Sequence, residues 1–331
     1  MVLAQGSDAC FKDPQVQALI EQSKEIDECF ASDQNKCLIE KMTVEEQREF
    51  NAQRLIPFDR SKNALFDQAV GVVTANFSVA GHRSSADATG QLISRCHVLT
   101  SAHLFYRETS ERVSGVELPP KAESDHFNIR FHFGQTCDAN LASHHTQGHI
   151  LFRMTRDKQD FACRWGCDER HFYGKSDAVI LKLKDYDKRN RQFFNVRSTP
   201  VSIPQVGSRV SCWGFPGYNN QIKLPKALSD QLLWYQLNAK IFPGSNARGI
   251  LTNSIAYPGM SGGGCALATA PQELIGIYAD SSSATGHAVI MAPAQTADAR
   301  NLNFLTPLDH LAERYRAATG KRIEDLDKEC D

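Results

Sequence analysis

Around Ser261 the chain reads YPGMSGGGC, Tyr257 to Cys265, a single serine set among four glycines behind a proline. An alcohol is a weak nucleophile near neutral pH, so a serine that attacks carbonyls needs a base for its proton and a third group to orient that base. Of the 11 histidines, His103 stands apart: it closes GQLISRCHVLTSAH, where a β-type run passes straight into a small-residue turn. Asp177 stands apart among the carboxylates, because it follows the turn-like YGKS and precedes the run AVILKLK, at the mouth of a strand. Asp160 and Asp168 compete with it for the third place. Taken singly, each residue has a plain structural reading as a turn former or a packed side chain. Taken together they are a nucleophile, a base and an orienting anion, the parts of acyl-transfer chemistry.

These residues lie in a β-rich region. From about residue 66 to 305 the chain is a series of short runs rich in Val, Ile, Phe and Thr, such as AVGVVTANFSV, HFNIRFHF, SDAVILKLK, GSRVSCWGF and ELIGIYAD, broken by Gly, Pro and Asn. Such punctuation predicts an all-β barrel or sandwich rather than βαβ units. Residues 13 to 60 read as helical: Asp13 caps, Pro14 takes the first helical position, and Val16, Leu19, Ile20 and Ser23 share a face. Thr43 with Glu46 forms a capping-box pattern for a second helix. At the other end, Thr306 is expected to cap and Pro307 to start a helix carrying Leu308, Leu311 and Tyr315, with Gly320 as its stop.

With 331 residues, 41% of them hydrophobic, the chain can bury a full core, and its length suggests about two domains. A net charge of -1 from 37 basic and 38 acidic residues supplies no field for nucleic acid or an anionic membrane. No run approaches the roughly 18 apolar residues of a membrane span. Ten cysteines, dispersed rather than grouped as CxxC pairs, favour disulfides and an oxidising compartment, hence a secreted or periplasmic protein. Val2-Leu3-Ala4 resembles the small-residue end of a leader. Connectivity and oligomeric state stay open at this level.

In three places the sequence resembles the trypsin-like (chymotrypsin-fold) serine proteases. GQLIS..HVLTSAH is similar to that family's GSLIS..WVLTAAH, SDAVILKL to its DIALLKL, and GMSGGG to its GDSGGP, in the family's order of His, Asp and Ser. The resemblance implies two antiparallel β-barrels, at 66–195 and 200–305, between an N-terminal helical extension (1–60) and a C-terminal helix and tail (306–331). It implies a serine endopeptidase in which Ser261 is the nucleophile, His103 the general base and acid, and Asp177 the acceptor behind the ring. Gly259 and Ser261 would supply the oxyanion-hole amides, with clearance at Gly262 and Gly263 for the acyl group. The substrate would be a protein or peptide, with no metal or cofactor. A catalytically silent relative that only binds protein partners is the alternative.

Three departures matter. Met260 stands where the family's zymogens use an acid to bury a new N-terminus, and a thioether cannot form that ion pair, which brings GMSGG closer to the glutamyl-endopeptidase-like and HtrA-like branches. At the pocket floor the resemblance places Ile255, and along its wall Tyr278, Ala279, Asp280 and Ser281 of GIYADSS. An apolar floor would leave a buried cation unpaired, so an apolar or small P1 side chain is expected. Finally, the 74 positions between His103 and Asp177 suggest an insertion at about 120–172, bearing His126, His132, Cys137, His144, His145, His149, Cys163, Cys167 and His171. Cys163, Cys167 and His171 could share a helical face as a zinc site, although disulfides among Cys137, Cys163 and Cys167 are the expectation.

Overall fold

The computed structural model describes residues 10–31, 55–57, 63–79, 82–105, 111–113, 116–118, 129–132, 145–154, 177–184, 192–196, 205–215, 235–241, 249–252, 254, 259–281 and 303–330. The helices are α1 (Pro14–Ala31), α2 (Ala64–Ala69) and α3 (Leu308–Thr319), with 3-10 turns at Cys10–Lys12, Ala102–Leu104 and Ile323–Cys330. The strands are β1 (Ile56–Pro57), β2 (Val70–Val79), β3 (His82–Leu92), β4 (His97–Thr100), β5 (Glu111–Val113), β6 (Val116–Leu118), β7 (Ile129–His132), β8 (His145–Arg153), β9 (Val179–Leu183), β10 (Arg209–Gly214), β11 (Tyr235–Lys240), β12 (Ile250–Thr252), β13 (Gly264–Leu267), β14 (Leu274–Ser281) and β15 (Asn303–Pro307).

The first barrel closes in the order β2-β3-β4-β9-β8-β7, with β7 pairing back onto β2. Closure satisfies the backbone of both edges. Its short central strands are largely enclosed: β4 is buried at every position, His97 and Thr100 included, and β9 at all but Lys182. Strands β7 and β8 correct one expectation, since both fall inside 120–172. That stretch is not wholly an insertion, because IRFH and HILF supply pairing strands without which the barrel would stay open. A bulge at Ile150/Phe152 bends β8 along β9.

The second sheet runs β1-β11-β10-β13-β14-β15-β12. An antiparallel bridge from Ile241, just past β11, to Thr252 of β12 brings the far strand back to β11, so six strands close upon themselves. The architecture is therefore the expected chymotrypsin-type pair of barrels. Strand β1 adds to the outer edge of β11 through Ile56↔Gln236 and Pro57↔Tyr235. Its residues were expected to be helical; with β11 as its one partner among the described residues, β1 is an edge strand there, where proline's missing N–H is tolerated.

Helix α1 packs against the second barrel. Phe11, Val16 and Ile20 join Leu55, Val210, Tyr235, Ile241, Met260 and Tyr278 in one buried cluster. The helix at Thr43 lies outside the described residues. A second cluster fills the first barrel and reaches across to Trp213 of β10, whose ring stacks on Phe194 at 5.1 Å and meets the edge of Phe66 at 4.7 Å. The chain then returns: Leu308, Leu311 and Tyr315 of α3 join the first barrel's cluster, although β15 just before them belongs to the second barrel. Thr306 stays in β15 and Pro307 is the N-cap, while Gly320 ends the helix at φ 72. The tail is fastened by a Cys96–Cys330 disulfide, by Arg95 on Asp327 at 3.1 Å, and by Lys182 Nζ donating to the Glu329 carbonyl at 2.8 Å.

Candidate active site

Strands β4 and β9 are antiparallel neighbours with Thr100 opposite Val179. His103, three residues beyond Thr100, and Asp177, two before Val179, therefore emerge from the same end of the same pair. The 3-10 turn buries Ala102 and Leu104 and leaves His103 between them, its side chain 40% exposed. Asp177 is buried, at 5%. Its Oδ1 accepts the main-chain N–H of His103 at 2.7 Å, and its Oδ2 accepts from Nδ1 at 2.5 Å. An ionised carboxylate can only accept, so Nδ1 carries the hydrogen and the lone pair of the neutral ring sits on Nε2. These two charge-assisted bonds also compensate the buried anion.

The Ser261 loop belongs to the second barrel by sequence yet is held by the first. Gly259 and Gly262 take φ of 94 and 75, angles that L side chains rarely adopt. The Ser261 carbonyl accepts from Thr89 N at 2.8 Å, the Gly259 carbonyl from Thr89 Oγ1 at 3.0 Å, and the Gly262 carbonyl from Gln91 Nε2. Gly263 N donates to the Met260 carbonyl at 2.8 Å. Since N–H and C=O are antiparallel across a trans peptide, the Ser261 amide points away from that bond. Among the described residues neither the Gly259 nor the Ser261 amide donates to an acceptor.

The expected reason for two of the glycines needs correction. A Cβ at Gly262 would sit 2.5 Å from Thr100 Oγ1 and 2.8 Å from Ser101 N, and one at Gly263 would strike the Trp213 carbonyl. What would be crowded is the seam with the first barrel and the neighbouring β10 strand, so the missing side chains permit docking. Ser101, two residues before His103, also donates to the Tyr278 carbonyl at 2.7 Å. The loop carrying Ser261 and the turn carrying His103 thus meet along one seam.

Met260 is fully buried in the second barrel's cluster, against Gly214, whose added Cβ would lie 2.9 Å from Met260 Cβ. Beside it the disulfide Cys212–Cys265 joins directly opposed residues of β10 and β13. Of the expected pocket residues, Tyr278 is buried in the second barrel's cluster and Ala279 is 3% exposed. Asp280 and Ser281 continue β14 opposite Phe304 and Asn303. Ile255 lies outside the described residues, as do Asp160, Asp168, His126, Cys137, His144, Cys163, Cys167 and His171. His132, His145 and His149 fall on barrel strands β7 and β8.

One group of three metal-type donors is present among the described residues: Cys96, His97 and Cys330. Its two sulfurs are joined to each other. His97 Nδ1 lies 2.8 Å from Ser94 Oγ, and burial, reinforced by Lys182, lowers its pKa from 6.5 to about 4 against the opposing pull of Glu329 and Asp327. Thr89, Gln91 and Ser101 were not singled out by sequence reasoning. Their one sequence signal is hydroxyl and amide groups inside runs that otherwise read as buried strand.

No family model and no curated protein matches the sequence. Solved structures resemble the fold. A Glu endopeptidase in complex with MPD has a TM-score of 0.49 at 10% identity, covering 81% of this chain and 97% of that one. A structure described as HL collagenase has 0.47 at 11%, covering 78% and 96%. The protease Anisep from Arthrobacter nicotinovorans has 0.46 at 9%, covering 77% and 96%. At such distances the chemistry has to be read from the residues themselves.

Proposed function

We propose that the chain is a serine endopeptidase. His103 Nε2 takes the proton of Ser261 Oγ as that oxygen bonds the scissile carbonyl carbon, and the carbonyl π pair moves onto oxygen. The amides of Gly259 and Ser261 stabilise that oxyanion; one such donor is typically worth about 2.7–4 kcal/mol of barrier. The imidazolium, steadied by Asp177, then protonates the amine as the C–N bond breaks, leaving an acyl-enzyme that water clears by the same steps. The observation that carries this reading is the double grip of one buried carboxylate on His103, ring and main chain together, beside a serine loop tacked to the same seam. Two buried disulfides suit an oxidising compartment, and a protein or peptide is the substrate class. The expectation of an apolar or small P1 residue rests on Ile255.

A fluorophosphonate probe, which reacts only with an activated serine, tests the proposal. Wild type should be labelled at Ser261 and should hydrolyse a protein substrate, and Ser261→Ala should do neither. A folded wild-type chain that resists the probe would instead make this a protein that uses the cleft for binding alone.

A further inference from the structure

We infer that Thr89 is a positioning residue for the reaction centre, an inference that rests on the endopeptidase reading. Thr89 is fully buried on β3 of the first barrel. Four hydrogen bonds run through this one residue. Its amide donates to the Ser261 carbonyl at 2.8 Å, and its carbonyl accepts Thr100 Oγ1 at 2.7 Å, three residues before His103. Its hydroxyl donates to the Gly259 carbonyl at 3.0 Å and accepts from Phe215 N, just past β10, at 2.8 Å. The hydroxyl is engaged both as donor and as acceptor, so it cannot turn without breaking a bond.

The consequence follows from peptide geometry. Fixing the carbonyls of Gly259 and Ser261 fixes two of the peptide planes that flank the nucleophile, and the Met260–Gly263 bond fixes the one between them. The Ser261 amide and Oγ are then aimed from the other barrel, by the main chain and the hydroxyl of Thr89 together. Gln91, on the same face of β3 two residues on, holds the next carbonyl, that of Gly262. Thr89 does not touch the reacting atoms. It acts by setting how the two halves of the site register with each other, where a small misplacement of reacting groups is costly in rate.

The test separates positioning from folding and from substrate binding. Thr89→Val keeps the volume and the main-chain bond to Ser261 but removes the hydroxyl, leaving the Gly259 carbonyl free to rotate. On a peptide substrate it should lower kcat by about 10- to 100-fold with KM nearly unchanged, and slow fluorophosphonate labelling in proportion. Thr89→Ser, which restores the hydroxyl, should recover most of the loss. Should T89V fail to fold, Thr89→Ala, with room for a water in place of the hydroxyl, takes its place with the same expected direction. A folded T89V or T89A with wild-type kcat overturns the inference, as does a T89S no better than T89V. Failure of wild type itself to label overturns the endopeptidase reading instead.

Discussion

The carboxylate of Asp177 spans His103, one oxygen on the main-chain N–H and the other on the ring Nδ1. Asp177→Asn keeps the shape but offers an amide N–H where an acceptor is needed, so the ring flips tautomer or loses its hold. Turnover should fall by about 10,000-fold, with KM changed far less. Stopped-time assays on one peptide, with circular dichroism to confirm folding, check this.

Two glycines with similar backbone angles make a controlled pair. Gly262 (φ 75) faces Thr100 and Ser101 at sub-contact distance, whereas Gly320 (φ 72) has nothing within 4 Å of an added Cβ. Gly320→Ala should cost about 1 kcal/mol, from backbone strain alone. Gly262→Ala adds a collision with rigid backbone and should cost clearly more, by about 2 kcal/mol or beyond, with loss of activity. Urea unfolding of both variants reads the difference, and equal costs would count against a tight seam.

His97 gives the stability a pH dependence of known sign. Its folded pKa of about 4 lies below the ordinary 6.5, so between these values the unfolded chain binds a proton that the native state does not. Stability is complete above about 6.5 and declines as pH falls towards 4, by about 3 kcal/mol at most. Burial is the main cause of the lowering, helped by Lys182 and His149 on the barrel strands, while Glu329 and Asp327 on the C-terminal turn oppose it. Urea midpoints at pH 7, 5.5 and 4 should fall more steeply for wild type than for His97→Gln.

Helix α1 carries part of the second barrel's core. Ile20 is 9% exposed and packed within that cluster. Ile20→Ala should lower stability by about 2–4 kcal/mol and should not raise turnover, because α1 acts as a structural clamp. A variant that gained activity would instead mark the extension as inhibitory.

The candidate groups could be picked out in the sequence because the proposed chemistry asks for particular residue types: a hydroxyl, an imidazole and a carboxylate, each beside a strand or turn. The barrel class was legible too, since short β-branched and aromatic runs between breakers have few other solutions. Legibility failed where a residue's meaning depends on a distant partner. Nothing local tells Thr89 that its hydroxyl will meet a carbonyl 170 positions away, or marks Ile56 and Pro57 as an edge strand before β11 exists to receive them.

The same division holds for the cysteines and the glycines. Their number and dispersal implied disulfides, but only the docking of the tail on β4 joined Cys96 to Cys330, and only the register of β10 with β13 set Cys212 against Cys265. The run GMSGGG announced close approach and was read as clearance for the acyl group; in the folded chain Gly262 meets the other barrel, at Thr100 and Ser101. Sequence alone determined which atoms could react, because reactivity is a property of side chains. Tertiary structure decided which groups hold them in place, because hydrogen bonds and packing are made by proximity in space, and the chain passes through most of its length before those neighbours meet.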